Sequence, residues 1–149
     1  MASRLRSRWM AANTWTAPVR VNQAPQTEAF SPAVGVAADG TVAVVYYDLR
    51  NDTPDPSALL ANYWCIQSRD GGNTWSETAV SGPFNYLNAP LGTLGNSLFL
   101  GDYQGMVASG KTFLTLFPVT KCKGQAFRNL ATCCPIRDEF SFPRTCPAN

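Results

Sequence analysis

The residues from Ser68 to Trp75, Ser-Arg-Asp-Gly-Gly-Asn-Thr-Trp, constrain the fold of this chain more than any other segment. An aspartate in a tight turn accepts hydrogen bonds from the amides of that turn, and Gly72 can take the positive φ that such a turn demands. Trp75 can bury its ring beneath the loop. The segment therefore predicts a β-hairpin. A generic Asp-Gly-Gly turn between two strands is the simpler interpretation.

The same segment matches the Asp-box, or BNR repeat, of sialidase-like (neuraminidase) β-propellers. The motif is Ser-x-Asp-x-Gly-x-Thr-Trp, and its defining positions are here Ser68, Asp70, Gly72, Thr74 and Trp75. The resemblance extends over about residues 13–120. It implies an all-β chain, a partial β-propeller of about two four-stranded antiparallel blades from a six-bladed ring. Because the family carries Asp-boxes on outer turns, the resemblance also implies a structural role for the five residues.

Short apolar runs on either side of turn residues predict antiparallel strands. Asp39-Gly40 is a strong hairpin signal and joins a strand at 33–37 to one at 41–47. The Asp-box joins strands at 63–67 and 76–80 in the same way. The strand at 41–47 is apolar on both faces, so we expect a packing layer on each side of it.

A weaker repeat supports the propeller interpretation. Asn13-Thr-Trp-Thr16 recurs as Asn73-Thr-Trp-Ser76 after 60 residues, a spacing that suits a four-stranded blade with long loops. Met10 and Ala12 stand where the later copy has Asp70 and Gly72, so the first copy lacks the turn chemistry.

The remaining chain predicts three regions. Residues 1–12 are expected to be disordered, and 13–120 to form the incomplete propeller domain, with further strands at 101–108 and 112–119. The alternation stops after Thr120, so residues 121–149 are predicted to be an irregular tail. Truncation, altered splicing or a shifted reading frame would explain that tail, and a genuine disulfide-rich extension is the alternative.

Composition excludes several classes of function. The net charge is only +2, and the one basic cluster comprises Arg4, Arg6 and Arg8, so we expect no nucleic-acid partner. No apolar run approaches the roughly 18 residues of a membrane span, and no secretory signal is recognisable. The Arg- and Ser-rich start is a targeting segment, a solvated tail or a misplaced start. The family that the chain resembles is usually secreted, but no secretory signal is recognisable here, so the localisation stays open.

The cysteines leave three interpretations open. The chain has five cysteines and no histidine. Adjacent Cys133-Cys134 is awkward for tetrahedral zinc, and no Cys-x-x-Cys pair occurs, so disulfides and free thiols are the alternatives to a metal site. We predict no metal and no cofactor.

The family resemblance also implies a chemistry. In sialidases, three arginines hold the sugar carboxylate, a glutamate-activated tyrosine attacks the anomeric carbon, and an aspartate is the acid/base. The implied activity is hydrolysis of terminal sialic acids, with a glycan or sialoglycoconjugate as partner. The Arg-Ile-Pro element of the family is absent, because Pro135-Ile-Arg137 has the reverse order. No complete active site can be assembled.

Two pairs of residues are the site candidates. Asp48 and Arg50 follow a strand, where Asp48 is a candidate catalytic residue and Arg50 a candidate substrate-binding residue. The alternative is that they cap the strand and pair with each other or with Asp52. Asp102, between glycines, is a candidate acid/base, and its neighbour Tyr103 a candidate for substrate binding; a structural role is the alternative.

The tryptophans Trp15, Trp64 and Trp75 could stack on sugars, but we predict that they belong to the core.

The functional hypothesis is a sialidase-like glycoside hydrolase fragment. Its alternatives are a non-catalytic propeller module that binds glycan or protein and a truncated product without independent function.

Overall fold

The computed structural model describes residues 4–5, 8–9, 14–92, 97–101, 104–121 and 126–133. It begins with four short strands, β1 (Arg4–Leu5), β2 (Arg8–Trp9), β3 (Thr14–Trp15) and β4 (Val19–Arg20). β1 pairs with β4, and β2 pairs with β3. Two of these strands lie in residues 1–12, for which the sequence predicts disorder. Backbone pairing over two residues needs no apolar alternation, so no sequence pattern announces it.

The main element is a four-stranded antiparallel sheet whose strands follow chain order: β5 (Ala29–Val36), β6 (Val42–Asp48), β7 (Leu60–Ser68) and β8 (Ser76–Asn85). The predicted hairpin between β5 and β6 is confirmed. Its turn has Gly40 at a φ of 84°, and the amide of Thr41 donates to Oδ1 of Asp39 over 3.1 Å. The Asp-box connects the third strand to the fourth, as predicted.

A second antiparallel sheet contains β9 (Gly105–Ser109), β10 (Thr112–Thr120) and β11 (Ala126–Cys133), with β10 in the centre. A 3₁₀ turn at Tyr86–Asn88 follows the first sheet. The predicted strands at 101–108 and 112–119 correspond to β9, which begins later, and β10. The expectation of an irregular tail is wrong for residues 126–133, which all pair with residues 113–120 of β10. A free strand edge can order a partner whose own sequence does not alternate.

The core lies between the two sheets. Large side chains of β6 and β7 meet those of β10, and the rings of Tyr47, Tyr63, Phe113 and Phe117 are all at most 2% exposed. The hydroxyl of Tyr47 donates to the carbonyl of Pro118 over 2.8 Å, and the hydroxyls of Tyr63 and Thr115 lie 2.9 Å apart. Each buried hydroxyl therefore has a polar partner on the opposite sheet.

The opposite face of the four-stranded sheet has a thinner cover. Buried Val21, Val44, Tyr46 and Ile66 form a smaller cluster there, against which Trp64 and Trp75 pack. Residues 43–48 of β6 are all buried, which confirms that this strand has a layer on each side.

Each sheet still has an uncovered apolar patch. Val34 and Val36 are 57% and 60% exposed on the first sheet, and Val107 and Leu116 are 58% and 43% exposed on the second. The described part of the chain contains no α-helix, and its 3₁₀ turn is too short to cross a membrane. The protein is therefore all-β, built from packed antiparallel sheets.

Candidate functional site

Arg50 lies just beyond the end of β6 and contacts two acidic residues. Its Nε and Nη2 atoms lie 2.7 and 2.6 Å from Oδ2 of Asp48. Its Nη1 atom lies 2.5 Å from Oε2 of Glu77. Arg50 and Asp48 thus pair with each other, as one of the two interpretations predicted. Asp52 makes a different contact and accepts a hydrogen bond from the amide of Leu60 over 2.8 Å.

Glu77 is the member of this site that sequence reasoning missed. It lies on β8 opposite Ile66 of β7, and cross-strand partners project from the same face of a sheet. Its side chain is only 3% exposed. The register of the Asp-box hairpin was the available signal, because it places Glu77 on the buried face that carries Ile66.

Two aromatic residues complete what we call the Arg50 cluster: Arg50, Asp48, Glu77, Tyr46 and Trp64. The indole Nε1 of Trp64 donates to Oδ1 of Asp48 over 2.8 Å, and Cζ of Arg50 lies 3.8 Å from the centre of the Trp64 ring. The hydroxyl of Tyr46 donates to Oε1 of Glu77, and Nη2 of Arg50 donates to the same hydroxyl over 3.3 Å.

The protonation equilibria follow from these contacts. Burial alone would raise the pKa of Glu77, but hydrogen bonds from Arg50 and Tyr46 outweigh it and lower that pKa. Burial would lower the pKa of Arg50, but its two carboxylate partners raise it. Burial, followed by the neighbouring Glu77, raises the pKa of Tyr46. The cluster therefore holds a charged arginine, a charged Glu77 and a neutral tyrosine.

This arrangement leaves Arg50 little capacity for a ligand. Both edges of its guanidinium contact carboxylates, one face lies on Trp64, and the side chain is 18% exposed. Asp48 is completely buried. Two carboxylates against one guanidinium leave the cluster net negative, which disfavours an acidic sugar. The geometry suits a structural clamp between β6 and β8.

The Asp-box is held in shape by hydrogen bonds among its own residues. Oδ1 of Asp70 accepts hydrogen bonds from the amides of Asn73 and Thr74 over 3.1 and 2.9 Å, and its Oδ2 accepts from the Thr74 hydroxyl over 2.6 Å. The hydroxyl of Ser68 accepts from the Gly72 amide over 2.8 Å.

Trp75 closes the loop, because its Nε1 donates to the Gly72 carbonyl over 3.0 Å. Gly72 has a φ of 94°, as the sequence requires of that position. Hydrogen bonds from Thr74, and then from Ser68, lower the pKa of Asp70 to about 2. Asp70 is therefore an acceptor held within the turn, and its contacts are those of a structural residue.

The remaining candidate residues are Asp102, Tyr103 and the three tryptophans. Asp102 and Tyr103 lie outside the described residues. Trp64 and Trp75 pack against the smaller core cluster, as predicted. Trp15 is 57% exposed, so its assignment to the core is wrong. It lies on the two-residue strand β3, which among the described strands pairs with β2.

Cys65 is a cysteine that is not part of a disulfide and is buried in the core. The side chains of the other four cysteines lie outside the described residues. Within the described part of the chain, no group of three or more His, Cys, Asp or Glu residues is arranged to hold a metal ion.

Comparisons with known proteins give no match, whether against family models, curated proteins or solved structures.

Proposed function

We propose that this chain is a non-catalytic, glycan-binding module from a sialidase-like, Asp-box β-propeller. The observation that carries the non-catalytic part is the Arg50 cluster, in which the candidate substrate-binding arginine is already neutralised by Asp48 and Glu77. The parent architecture hydrolyses terminal sialic acids, and this chain contributes scaffold and binding surface to it.

Three features support the propeller part of this proposal. A four-stranded antiparallel sheet carries the Asp-box between its third and fourth strands, and a second antiparallel sheet packs against one of its faces. Both sheets expose aliphatic side chains on their outer faces, including Val34 and Leu116. A blade within a ring has a neighbour on each side, so a piece of such a ring leaves apolar faces uncovered.

The absence of catalysis follows from the chemistry of Tyr46 and Glu77. A tyrosine beside a glutamate resembles the nucleophile pair of sialidases. Tyr46, however, is completely buried and its pKa is raised, so its oxygen is neither accessible to a sugar nor easily ionised. The same pair, with Arg50, instead ties β6 to β8.

The test is turnover of a fluorogenic sialoside together with binding on a glycan array. We expect no turnover above background from the purified chain, and saturable binding to a subset of glycans. Arg50→Lys and Leu116→Ala serve as the matched variants, since the second removes an outer-face side chain far from the cluster. Turnover that is lost in Arg50→Lys but kept in Leu116→Ala, with both proteins folded, would overturn the proposal. So would a folded chain that binds no glycan.

A further inference from the structure

A cleft of about 310 Å³ lies beside the Asp-box hairpin. Its lining includes Cys65 and Gln67 from β7, Arg69 just beyond the end of β7, and Ser76 and Thr78 from the start of β8. Cys65 belongs to the core between the sheets, so the cleft opens on the face that the second sheet covers further along. The cleft is therefore separate from the Arg50 cluster, which lies on the opposite face.

Strand geometry brings these polar groups together. Alternate residues of a strand project from one face, which places Cys65 and Gln67 of β7 on the same side, and Arg69, one residue beyond the end of β7, lines the same cleft. Direct pairing then places Thr78 beside Cys65 and Ser76 beside Gln67. The result is a wall of hydroxyl, amide and guanidinium groups above a buried sulfur atom.

Arg69 supplies an uncompensated positive charge to this cleft. Among the described residues, the ion pairs all belong to Arg50, and no acidic residue lines the cleft. The neighbouring Asp70 turns its carboxylate into the Asp-box, where Ser68 and Thr74 bind it. An exposed guanidinium without a carboxylate partner can form two parallel hydrogen bonds with a planar anion such as a carboxylate.

We propose that this cleft binds a hexuronate, a six-membered sugar ring that bears a carboxylate. The carboxylate would lie on the Arg69 guanidinium, and the hydroxyls of Ser76 and Thr78 would contact the ring hydroxyls. The volume is at the lower end of the about 300–1,000 Å³ of small-molecule sites, which suits one sugar ring. The choice of a sugar rests on the glycan-binding role proposed above, whereas the anion site rests on the surroundings of Arg69.

The test is a titration of the whole chain, followed by amide NMR, with methyl β-D-glucuronide and methyl β-D-glucoside. These probes differ only in the carboxylate. We expect the glucuronide to bind at least about tenfold more tightly and to shift the amides of residues 65–69 and 76–78. Arg69→Gln should abolish the preference for glucuronide, and Thr78→Val should weaken both sugars. Lys111→Gln, which removes an exposed charge in the β9–β10 turn, should change neither.

The outcomes separate the two proposals. Equal binding of both sugars would refute the proposal that the cleft binds a hexuronate, and so would glucuronide binding that is unchanged in Arg69→Gln. Neither result would contradict the proposed glycan-binding function. A chain that binds sugars on the array, but whose amide shifts lie outside residues 65–69 and 76–78, would also refute the hexuronate proposal and leave glycan binding intact. A chain that binds no sugar in either experiment would refute both. If sodium acetate reproduces the shifts as strongly as the glucuronide, the site is for a bare carboxylate and the hexuronate assignment fails.

Discussion

The ring of Tyr63 lies stacked on the ring of Phe117, with the centroids 4.0 Å apart and the planes inclined by 17°. This pair joins β7 of the first sheet to β10 of the second, and both side chains are at most 1% exposed. The two sheets are thus held together at a specific point, and not only by general burial of apolar surface.

Phe117→Ala is expected to cost about 3–5 kcal/mol of unfolding free energy, because it removes the stacked ring and leaves a cavity between the sheets. The measurement is urea unfolding monitored by tryptophan fluorescence. Leu116→Ala is the control, since that neighbour is 43% exposed on the outer face and should cost much less. Equal losses in the two variants would contradict the packing described here.

Arg50→Met should cost about 3–5 kcal/mol at pH 7, since it leaves Asp48 and Glu77 as buried carboxylates without a cation. In the wild type the folded pKa of Glu77 is below its ordinary 4.5, so its stabilising contribution is complete above that pH and is lost as the pH falls through the folded value. In the variant Glu77 keeps its burial but loses the hydrogen bond from Arg50, so folding favours its protonated form.

The deficit of Arg50→Met should therefore shrink between pH 7 and pH 4, as measured by denaturant unfolding at both values. Arg69→Met is the matched control, because Arg69 has no ion-pair partner among the described residues. A deficit that is constant with pH would show that the pKa of Glu77 does not depend on Arg50.

Gly82→Ala should destabilise the protein by about 1–3 kcal/mol. Gly82 has a φ of 119°, and an added Cβ would lie 2.6 Å from Nδ2 and 2.9 Å from Cα of Asn62. Gly40→Ala controls for backbone strain alone, since Gly40 has a φ of 84° but no atom within 4 Å of the added carbon. Thermal unfolding should show the larger loss for Gly82→Ala, and the reverse order would contradict the close approach.

Asp70→Asn should lower the melting temperature at pH 7 and have little effect near pH 2. The folded pKa of Asp70 is about 2, against an ordinary 3.8, so the charged form contributes stability above about pH 4 that is lost as the pH falls toward 2. Glu28→Gln, at an exposed position, should melt like the wild type at both pH values. If the melting temperature of Asp70→Asn at pH 7 equals that of the wild type, Asp70 has no structural role.

The hairpins were predictable because their signals are local. Asp39-Gly40 and the Asp-box each specify a turn through residues a few positions apart, and the flanking apolar runs specify the strands. The Arg50 cluster was only half predictable. Asp48 and Arg50 are neighbours in sequence, whereas Glu77 reaches Arg50 across 27 residues through strand register.

The strand β11 was missed for a related reason. Its order comes from the edge of β10, and residues 126–133 carry no alternation of their own that would announce a strand. Trp15 shows the opposite error, because a large apolar ring favours burial only where the fold supplies a second layer.

The hydrogen bonds made within the Asp-box, between residues of the segment Ser68 to Trp75, connect residues at most four positions apart. Contacts between the sheets span far longer stretches, such as the 71 residues that separate Tyr47 from Pro118. Loops of the first kind close in nanoseconds to microseconds, whereas distant segments must pay more entropy to meet. During synthesis, the β7–β8 hairpin is therefore able to form before β10 has left the ribosome, and the later strands assemble on a surface whose register is already set.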